Sequence, residues 1–353
     1  MPMRTNRNFA PLLADERVRE LFGTEATLSG MLRFEQALTR ALGDTGAAGQ
    51  EAVNAALAAM DTFQPDLAAI ESAVERDGLP VPEWARQLKQ HAGESALPAI
   101  HVGATSQDLL DTCLALALQQ ANELLAEELV GVIRALDTLS DTFGERSLMG
   151  RTRMQAALPV TVASRIDLWA EPLRRQLDEF AAVRQRVELL QFAGPVGLRD
   201  KPEGLAGEVA GRMAELLGLQ PSVMSWHATR DNLVAYGQFL ARVSGALGKM
   251  GQDIAIMALQ GIDEVRLSGG GVSSAMPHKQ NPVLAETLVA FARYNATQSG
   301  GLAQALVHEQ ERSGAAWTLE WMILPPMLET TMKGLSLAAR MLGQVESVGK
   351  PAG

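Results

Sequence analysis

Residues 233–257, LVAYGQFLARVSGALGKMGQDIAIM, decide the fold. Their large apolar side chains fall at Leu233, Tyr236, Leu240, Val243, Leu247, Met250, Ile254 and Met257, in alternating steps of three and four. A helix turns once in about 3.6 residues, so this spacing lays one apolar stripe along about seven turns. It is the seam of a helix bundle, not the alternation of a strand. Outward from it, no proline occurs between Pro98 and Pro159, between Pro221 and Pro277, or between Pro282 and Pro325, and each gap holds a long periodic apolar segment. Broader faces run from Leu109 to Leu139 (Cys113, Leu116, Leu124, Val132, Leu136), from about Val160 to Leu190, from Val283 to about Leu306, and from Trp317 to Met341. Pro172 lies inside the second of these and predicts a kink or helix boundary, because proline lacks an amide proton and crowds the preceding turn.

Five such helices make a long bundle. A rod has a poor surface-to-volume ratio, and helices with apolar residues on more than one face need further neighbours, so several subunits are expected to share a core. The first hundred residues read as shorter helices broken at Gly43-Asp44, Pro65 and Leu79-Pro80-Val81-Pro82, a small N-terminal domain. The 353 residues are 47% hydrophobic and 20% charged, which excludes disorder. Lys and Arg number 31 against 41 Asp and Glu, a net charge of −10 that argues against nucleic acid or an anionic membrane as partner. The single cysteine, Cys113, has no internal partner and fits a reducing compartment. The first residues, MPMRTNRNFAPLLADER, lack the apolar stretch of a signal peptide, and no uncharged run reaches membrane-spanning length. These features predict a soluble, cytoplasmic protein.

Polar chemistry gathers where the long helices begin. Ile100-His101-Val102-Gly103-Ala104-Thr105-Ser106-Gln107-Asp108 precedes the Leu109 helix; Thr105 or Ser106 can cap it, with Asp108 in the first turn. A cap with no further role accounts for those residues equally well. Gly150-Arg151-Thr152-Arg153-Met154-Gln155 comes next, and its two arginines taken alone read as solvated charge. The third place is Ser268-Gly269-Gly270-Gly271-Val272-Ser273-Ser274-Ala275-Met276-Pro277-His278-Lys279-Gln280-Asn281-Pro282, before the Val283 helix. Asn281-Pro282 reads as a cap and first helical residue. Its glycines bring two serines close to a ligand, and Lys279 beside a helix N-terminus favours an anion. A bare flexible turn does not account for that convergence. His308-Glu309-Gln310-Glu311-Arg312-Ser313 adds Arg312. Together these segments predict one pocket for a substrate with several carboxylates. The five histidines form no H-x-x-x-H pair, and phosphate-loop and nucleophile-elbow motifs are missing, so no metal and no cofactor are expected.

Ser273-Ser274-Ala275-Met276-Pro277-His278-Lys279-Gln280-Asn281-Pro282 resembles the signature S-S-x-M-P-x-K-x-N-P of the fumarase/aspartase superfamily. Gly103–Asp108 is similar to its first conserved region and Gly150–Gln155 to its second, in the same order and spacing. The resemblance extends over nearly the whole chain. It implies an all-α fold, a long helical bundle with a twenty-helix core in a homotetramer, and active sites each assembled from three subunits. The corresponding domains are an N-terminal helical domain at 1–104, a central bundle at 105–345 and a short tail at 346–353, with the C-terminal helical domain of many superfamily members largely absent.

Within the superfamily, His101–Asp108, Gln155–Thr161, Trp226-His227-Ala228-Thr229-Arg230-Asp231 and Glu311-Arg312-Ser313 are similar to the branch that lactonises carboxylated muconates. One position departs from the superfamily's lyases, which usually carry Thr-His in the second region; here it is Arg153. A departing amine needs a proton, whereas a carboxylate with a reference pKa of about 4 does not. Arginine is no acid near neutral pH, but it holds a carboxylate through two parallel hydrogen bonds. The substitution therefore suits internal lactonisation better than C–N cleavage. The resemblance further implies that Ser273 carries the proton, with adjacent Ser274 as its rival, and that Lys279 and Asn281 bind the carboxylate that takes up enolate character. Thr105, Ser106, Thr152, Arg153 and Gln155 would hold the other carboxylates, with His101 and Arg312 at the rim. Three other readings stay open. One is a sulfonated muconate as substrate, another a fumarate-releasing lyase acting on adenylosuccinate or argininosuccinate. The third is a non-catalytic structural protein on the same fold, like lens crystallins.

Overall fold

The computed structural model describes residues 6–269, 271–272, 276 and 280–350. Six helices come first: α1 (Ala10–Leu13), α2 (Glu16–Leu21), α3 (Thr24–Asp44), α4 (Gln50–Thr62), α5 (Leu67–Asp77) and α6 (Val81–Ala92), then a 3-10 turn at Glu94–Ala99. The long helix α7 (Ser106–Phe143) leads into a hairpin of β1 (Ser147–Thr152) and β2 (Gln155–Thr161). There follow α8 (Val162–Val187), α9 (Ala206–Leu217) and α10 (Asp231–Met257). The remainder is β3 (Val265–Leu267), β4 (Gly271–Val272), β5 (Gln280–Asn281), α11 (Val283–Ala303), α12 (Ala315–Gly343) and β6 (Val345–Val348).

Side-chain contacts fix the direction of each long helix. Asn122 of α7 donates to Glu188 just past α8 at 2.9 Å, while Asp137 meets Arg174, so α8 runs back along α7. Arg230, immediately before α10, pairs with Asp111 near the start of α7, so these two helices begin at one end. α12 begins there as well, since Trp317 Nε1 donates to Asp111. On α10, Gly237, Gly248 and Gly251 leave no room for a Cβ against Leu302, Ala292 and Ala285, an antiparallel series that lets α11 approach closely. Buried Asn295 of α11 locks the crossing, donating to Ser244 of α10 (2.7 Å) and Thr331 of α12 (2.9 Å). The bundle thus has a Thr105 end, where α7, α10 and α12 start, and a hairpin end, where they finish beside β1–β2, β3–β6 and β4–β5.

The stripe read from the sequence lies inside: Leu233, Tyr236, Leu240, Val243, Leu247, Met250, Ile254 and Met257 are all buried in the bundle core. A second core joins α3, α4 and α6 to the start of α7 and to residues between Leu190 and Leu219. Of the kink or boundary expected at Pro172, the boundary is absent, since α8 runs through that residue; the carbonyl that proline leaves unbonded belongs to exposed Leu168, where water can satisfy it. One sequence expectation is corrected. The Gly150–Gln155 segment is a hairpin rather than the approach to a helix, closed by Arg153 and Met154 at φ 48° and 66°. Such a turn usually declares itself by Asn-Gly or Asp-Gly, and this one does not. The chain exposes 17212 Å², against about 14,000 Å² for a compact protein of its mass.

Candidate active site

At the Thr105 end, the capping residue and its first turn are tied to three other segments. Thr105 is the N-cap of α7, and its N–H donates to Asp108 Oδ2 at 2.9 Å. The Asp108 carboxylate also accepts from the N–H groups of Ala193 and Gly194, both at 3.0 Å, and lies 2.8 Å from His227 Nε2. Near one turn on, Asp111 accepts from Arg230 Nη1 (2.7 Å), Arg230 Nη2 (3.0 Å) and Trp317 Nε1 (3.1 Å). Arg230 gives its other edge to Glu320, with Nε at 2.9 Å and Nη2 at 2.5 Å. Gln107 bridges Asp111 and the His227 carbonyl at 3.1 and 3.0 Å. Gln107, Asp108, Asp111, His227, Arg230, Trp317 and Glu320 are all buried, and Thr105 is half-buried.

Burial works against the Arg230 charge, yet Asp111 and Glu320 outweigh it and hold the guanidinium protonated. Burial pushes Glu320 above the usual carboxylate range, partly offset by Arg230. The imidazole of His308 is enclosed with Nε2 3.4 Å from Glu320, and neither ring nitrogen has a hydrogen-bond partner. Burial, then the Arg230 charge, depress its pKa below the usual histidine value, against weaker pulls from Asp111 and Glu309.

Above this buried cluster sits Arg312. Its Nη2 donates to Thr105 Oγ1 at 3.2 Å and to the Pro195 carbonyl at 3.0 Å. Its Nε is buried without a partner, and among the described residues no carboxylate lies within ion-pairing distance of it. Arg312 also lines a cleft of about 660 Å³ with Asp77, Trp317 and Trp321. Ser106 is half-buried at the first position of α7. His101 lies on the loop before it, held by Glu35 of α3 through both its N–H (2.9 Å) and Nδ1 (2.5 Å). Of the predicted residues, then, Thr105, Ser106, His101 and Arg312 share one end, with Thr105 and Arg312 in contact.

Thr152, Arg153, Gln155 and Asn281 lie at the hairpin end. Thr152 pairs with Gln155 across the turn that Arg153 and Met154 make, and all four are exposed. Arg151 anchors the hairpin to Glu264 at 2.7 Å, whereas Arg153 makes no hydrogen bond or ion pair among the described residues. Asn281 is half-buried in β5, its Cα opposite Gly271, and the N-cap of α11 is Pro282, one residue beyond the predicted cap. Ser273, Ser274 and Lys279 lie outside the described residues.

The two ends are separated by the 27 residues of α10, about 40 Å of helix. Among the described residues, a single chain therefore does not gather the predicted ones into one pocket: Thr105 and Arg312 lie at one end of the long helices, Arg153 and Asn281 at the other. Sequence reasoning passed over Asp111, Arg230, Glu320, His308 and Glu35 as site residues. One signal was present, since Asp108 and Asp111 lie three apart on the face of α7 that is otherwise apolar, where an acid needs a buried cation. Among the described residues no three His, Cys, Asp or Glu side chains are grouped to hold a metal ion.

A family model described as lyase matches residues 13–294. The chain is 31% identical over 346 residues to the 3-carboxy-cis,cis-muconate cycloisomerase of Acinetobacter baylyi, covering 96% of this chain and 77% of that protein. It is also 31% identical to the nitrosuccinate lyase of Streptomyces davaonensis, covering 94% and 73% respectively. Among solved structures, the 3-carboxy-cis,cis-muconate lactonizing enzyme from Pseudomonas putida superposes with a TM-score of 0.89 at 32% identity, covering 97% of this chain and 77% of that one.

Proposed function

The chain belongs to the lyase family, the fumarase/aspartase superfamily that its motifs resemble, and from that premise we propose that it is a cycloisomerase closing 3-carboxy-cis,cis-muconate to 4-carboxymuconolactone. The observation that carries this choice of reaction is Arg153, an exposed and unpaired cation at the hairpin tip, where the superfamily's lyases place an acid. A lactonisation moves no proton onto its oxygen nucleophile. One substrate carboxylate adds across a carbon–carbon double bond, and the carbon next to another carboxylate takes a proton. A fixed guanidinium can orient the anionic nucleophile without supplying that proton.

Ser273 is the donor to carbon in this reading: its O–H bond breaks, the new C–H bond forms, and water restores the hydroxyl. Ser274 is adjacent and is the rival carrier. Lys279 and the N-terminus of α11 stabilise the alkoxide, and Lys279 and Asn281 stabilise the enolate-like carboxylate. Thr105, Ser106, His101 and Arg312 bind carboxylate at the opposite end of a second copy, and Thr152, Arg153 and Gln155 reach in from a third. The working form is a homotetramer with each site shared by three subunits and no cofactor. The surplus exposed surface and the separation of the two ends support that assembly. The single cysteine fits the reducing cytoplasm, and among the described residues no helix is long and apolar enough to cross a membrane. Breakdown of protocatechuate is the setting in which such a tricarboxylate diene arises.

Ultraviolet absorbance tests the reading, because closing the ring destroys the conjugated diene. Purified protein without added metal should bleach 3-carboxy-cis,cis-muconate, and Ser273→Ala should slow this at least ~100-fold while fold and assembly persist. Near-full activity in that variant moves the role to Ser274. No bleaching, with fumarate released from adenylosuccinate or argininosuccinate, would overturn the assignment of Arg153; faster loss of the sulfonated diene would change the substrate and keep the mechanism.

A further inference from the structure

Two buried polar side chains, one turn apart on α3, hold the loop that leads into α7. Thr39 Oγ1 donates to the Ala99 carbonyl at 2.7 Å. Glu35, fully buried, accepts from the backbone N–H of His101 with Oε2 at 2.9 Å and meets the Nδ1 of the same residue with Oε1 at 2.5 Å. One carboxylate therefore fixes both the main chain and the ring of one histidine. That main chain is at φ 60°, left-handed backbone that a side-chain-bearing residue adopts only under constraint. Two residues on, Gly103 is at φ 72°, and a Cβ there would strike the Lys201 carbonyl, so the loop is clamped from its other side too.

An anchor for the loop needs only the backbone contact. The second oxygen on Nδ1 adds something an anchor does not require. It accepts from a proton on Nδ1 and turns Nε2 toward a ligand; with a second proton on the ring, Nε2–H donates and suits an anion. His101 Nε2 has no hydrogen-bond partner among the described residues, and the ring is partly open to solvent. Four residues later stands Thr105, in contact with Arg312.

We propose that Glu35 is a positioning residue: it fixes the ring of His101 with one proton on Nδ1, so that Nε2, on taking up a second proton as the anion binds, donates to a carboxylate of the substrate at the Thr105 end. This rests on the proposed reading of that end as half of a carboxylate-binding site. A buried acid on the N-terminal domain thereby becomes part of the recognition machinery of the bundle.

The test combines a double-substitution cycle with histidine nitrogen spectroscopy. Glu35→Gln keeps the size of the side chain and an oxygen for the His101 N–H, and loses the carboxylate facing Nδ1. Glu35→Gln and His101→Ala should each raise KM for 3-carboxy-cis,cis-muconate by about 10- to 100-fold, the size of one charge-assisted hydrogen bond. The double variant should be no worse than either single, since both remove one interaction. In 15N-histidine-labelled wild type, the resonance pair that disappears in His101→Ala should show Nδ1 protonated, and Glu35→Gln should mix the two tautomers. A Glu35→Gln protein with unchanged KM and tautomer would overturn the proposal and leave Glu35 a loop anchor. A wild-type His101 with Nδ1 unprotonated would overturn it whatever the protein turns over. A protein inert toward the muconate, yet with Nδ1 protonated and released in Glu35→Gln, would remove the proposed reaction and keep the pairing.

Discussion

The two ends of the bundle are built on opposite plans. At the Thr105 end the chain satisfies itself: Asp108, Asp111, His227, Arg230 and Glu320 are buried and bonded to one another across α7, α10 and α12. At the hairpin end, Thr152, Arg153 and Gln155 stand in solvent, and exposed Met154 and Leu158 accompany them on the same hairpin. Isolated charges and apolar side chains gathered on a projecting turn are what a surface meant for another copy carries. One end is bonded within itself; the other projects its polar side chains into solvent, which in the proposed assembly would complete the site of another copy.

Mixing chains offers the sharpest break of that contrast. Arg312→Ala spoils the Thr105 end and Arg153→Ala the hairpin end, and each alone should lower kcat/KM by about 100-fold, as expected on truncating one member of a buried charge pair with substrate. If the ends meet only between copies, chains co-assembled in equal amounts should regain about a quarter of wild-type activity, the share of sites drawing both intact ends from different chains. A mixture no better than its parents would place both ends in one chain's site and abolish the distinction.

Stability should divide the ends in the reverse sense. Arg230→Ala leaves two buried carboxylates facing each other and should cost about 3–5 kcal/mol. Arg153→Ala removes an exposed, unbonded side chain and should stay within about 0.5 kcal/mol. Urea denaturation of the assembled protein at one fixed concentration measures both. Comparable losses in the two variants would mean that the hairpin tip also holds the fold.

The same contrast explains what could be read from the sequence. The bundle was legible because burial repeats: the stripe from Leu233 to Met257 is apolar wherever it faces the core, and it proved buried throughout. The capping of α7 by Thr105 with Asp108 was legible for a local reason, a spacing of three at a helix start. The hairpin was not, since Arg153 and Met154 adopt left-handed backbone without the residues that favour it. Nor was the pairing of Arg230 with Asp111 and Glu320, partners separated by 119 and 90 positions that only helix direction brings together. The motifs named the segments but not their separation, because a run of letters does not say at which end of a 38-residue helix it falls.

The smallest expected effect probes how completely the Thr105 end is closed. His308 contributes a buried ring beside Glu320 and Arg230, and its folded-state pKa lies below its unfolded one because burial, then Arg230, disfavour its charge. The unfolded chain therefore binds more protons in that window, and stability contributed by the neutral ring is fully present above about pH 6.5 and lost progressively as pH falls below it toward the lower folded-state pKa. Glu320, raised by burial, acts with the opposite sign in more acidic solution, where the folded state takes up its proton more readily. His308→Gln keeps a neutral polar side chain at the position and cannot titrate. Subtracting its stability curve from the wild-type curve should isolate a loss beginning near pH 6.5, with the Glu320 contribution cancelling. Parallel curves from pH 8 to pH 5 would mean that the ring exchanges freely with solvent, and the Thr105 end would then be as open as the hairpin.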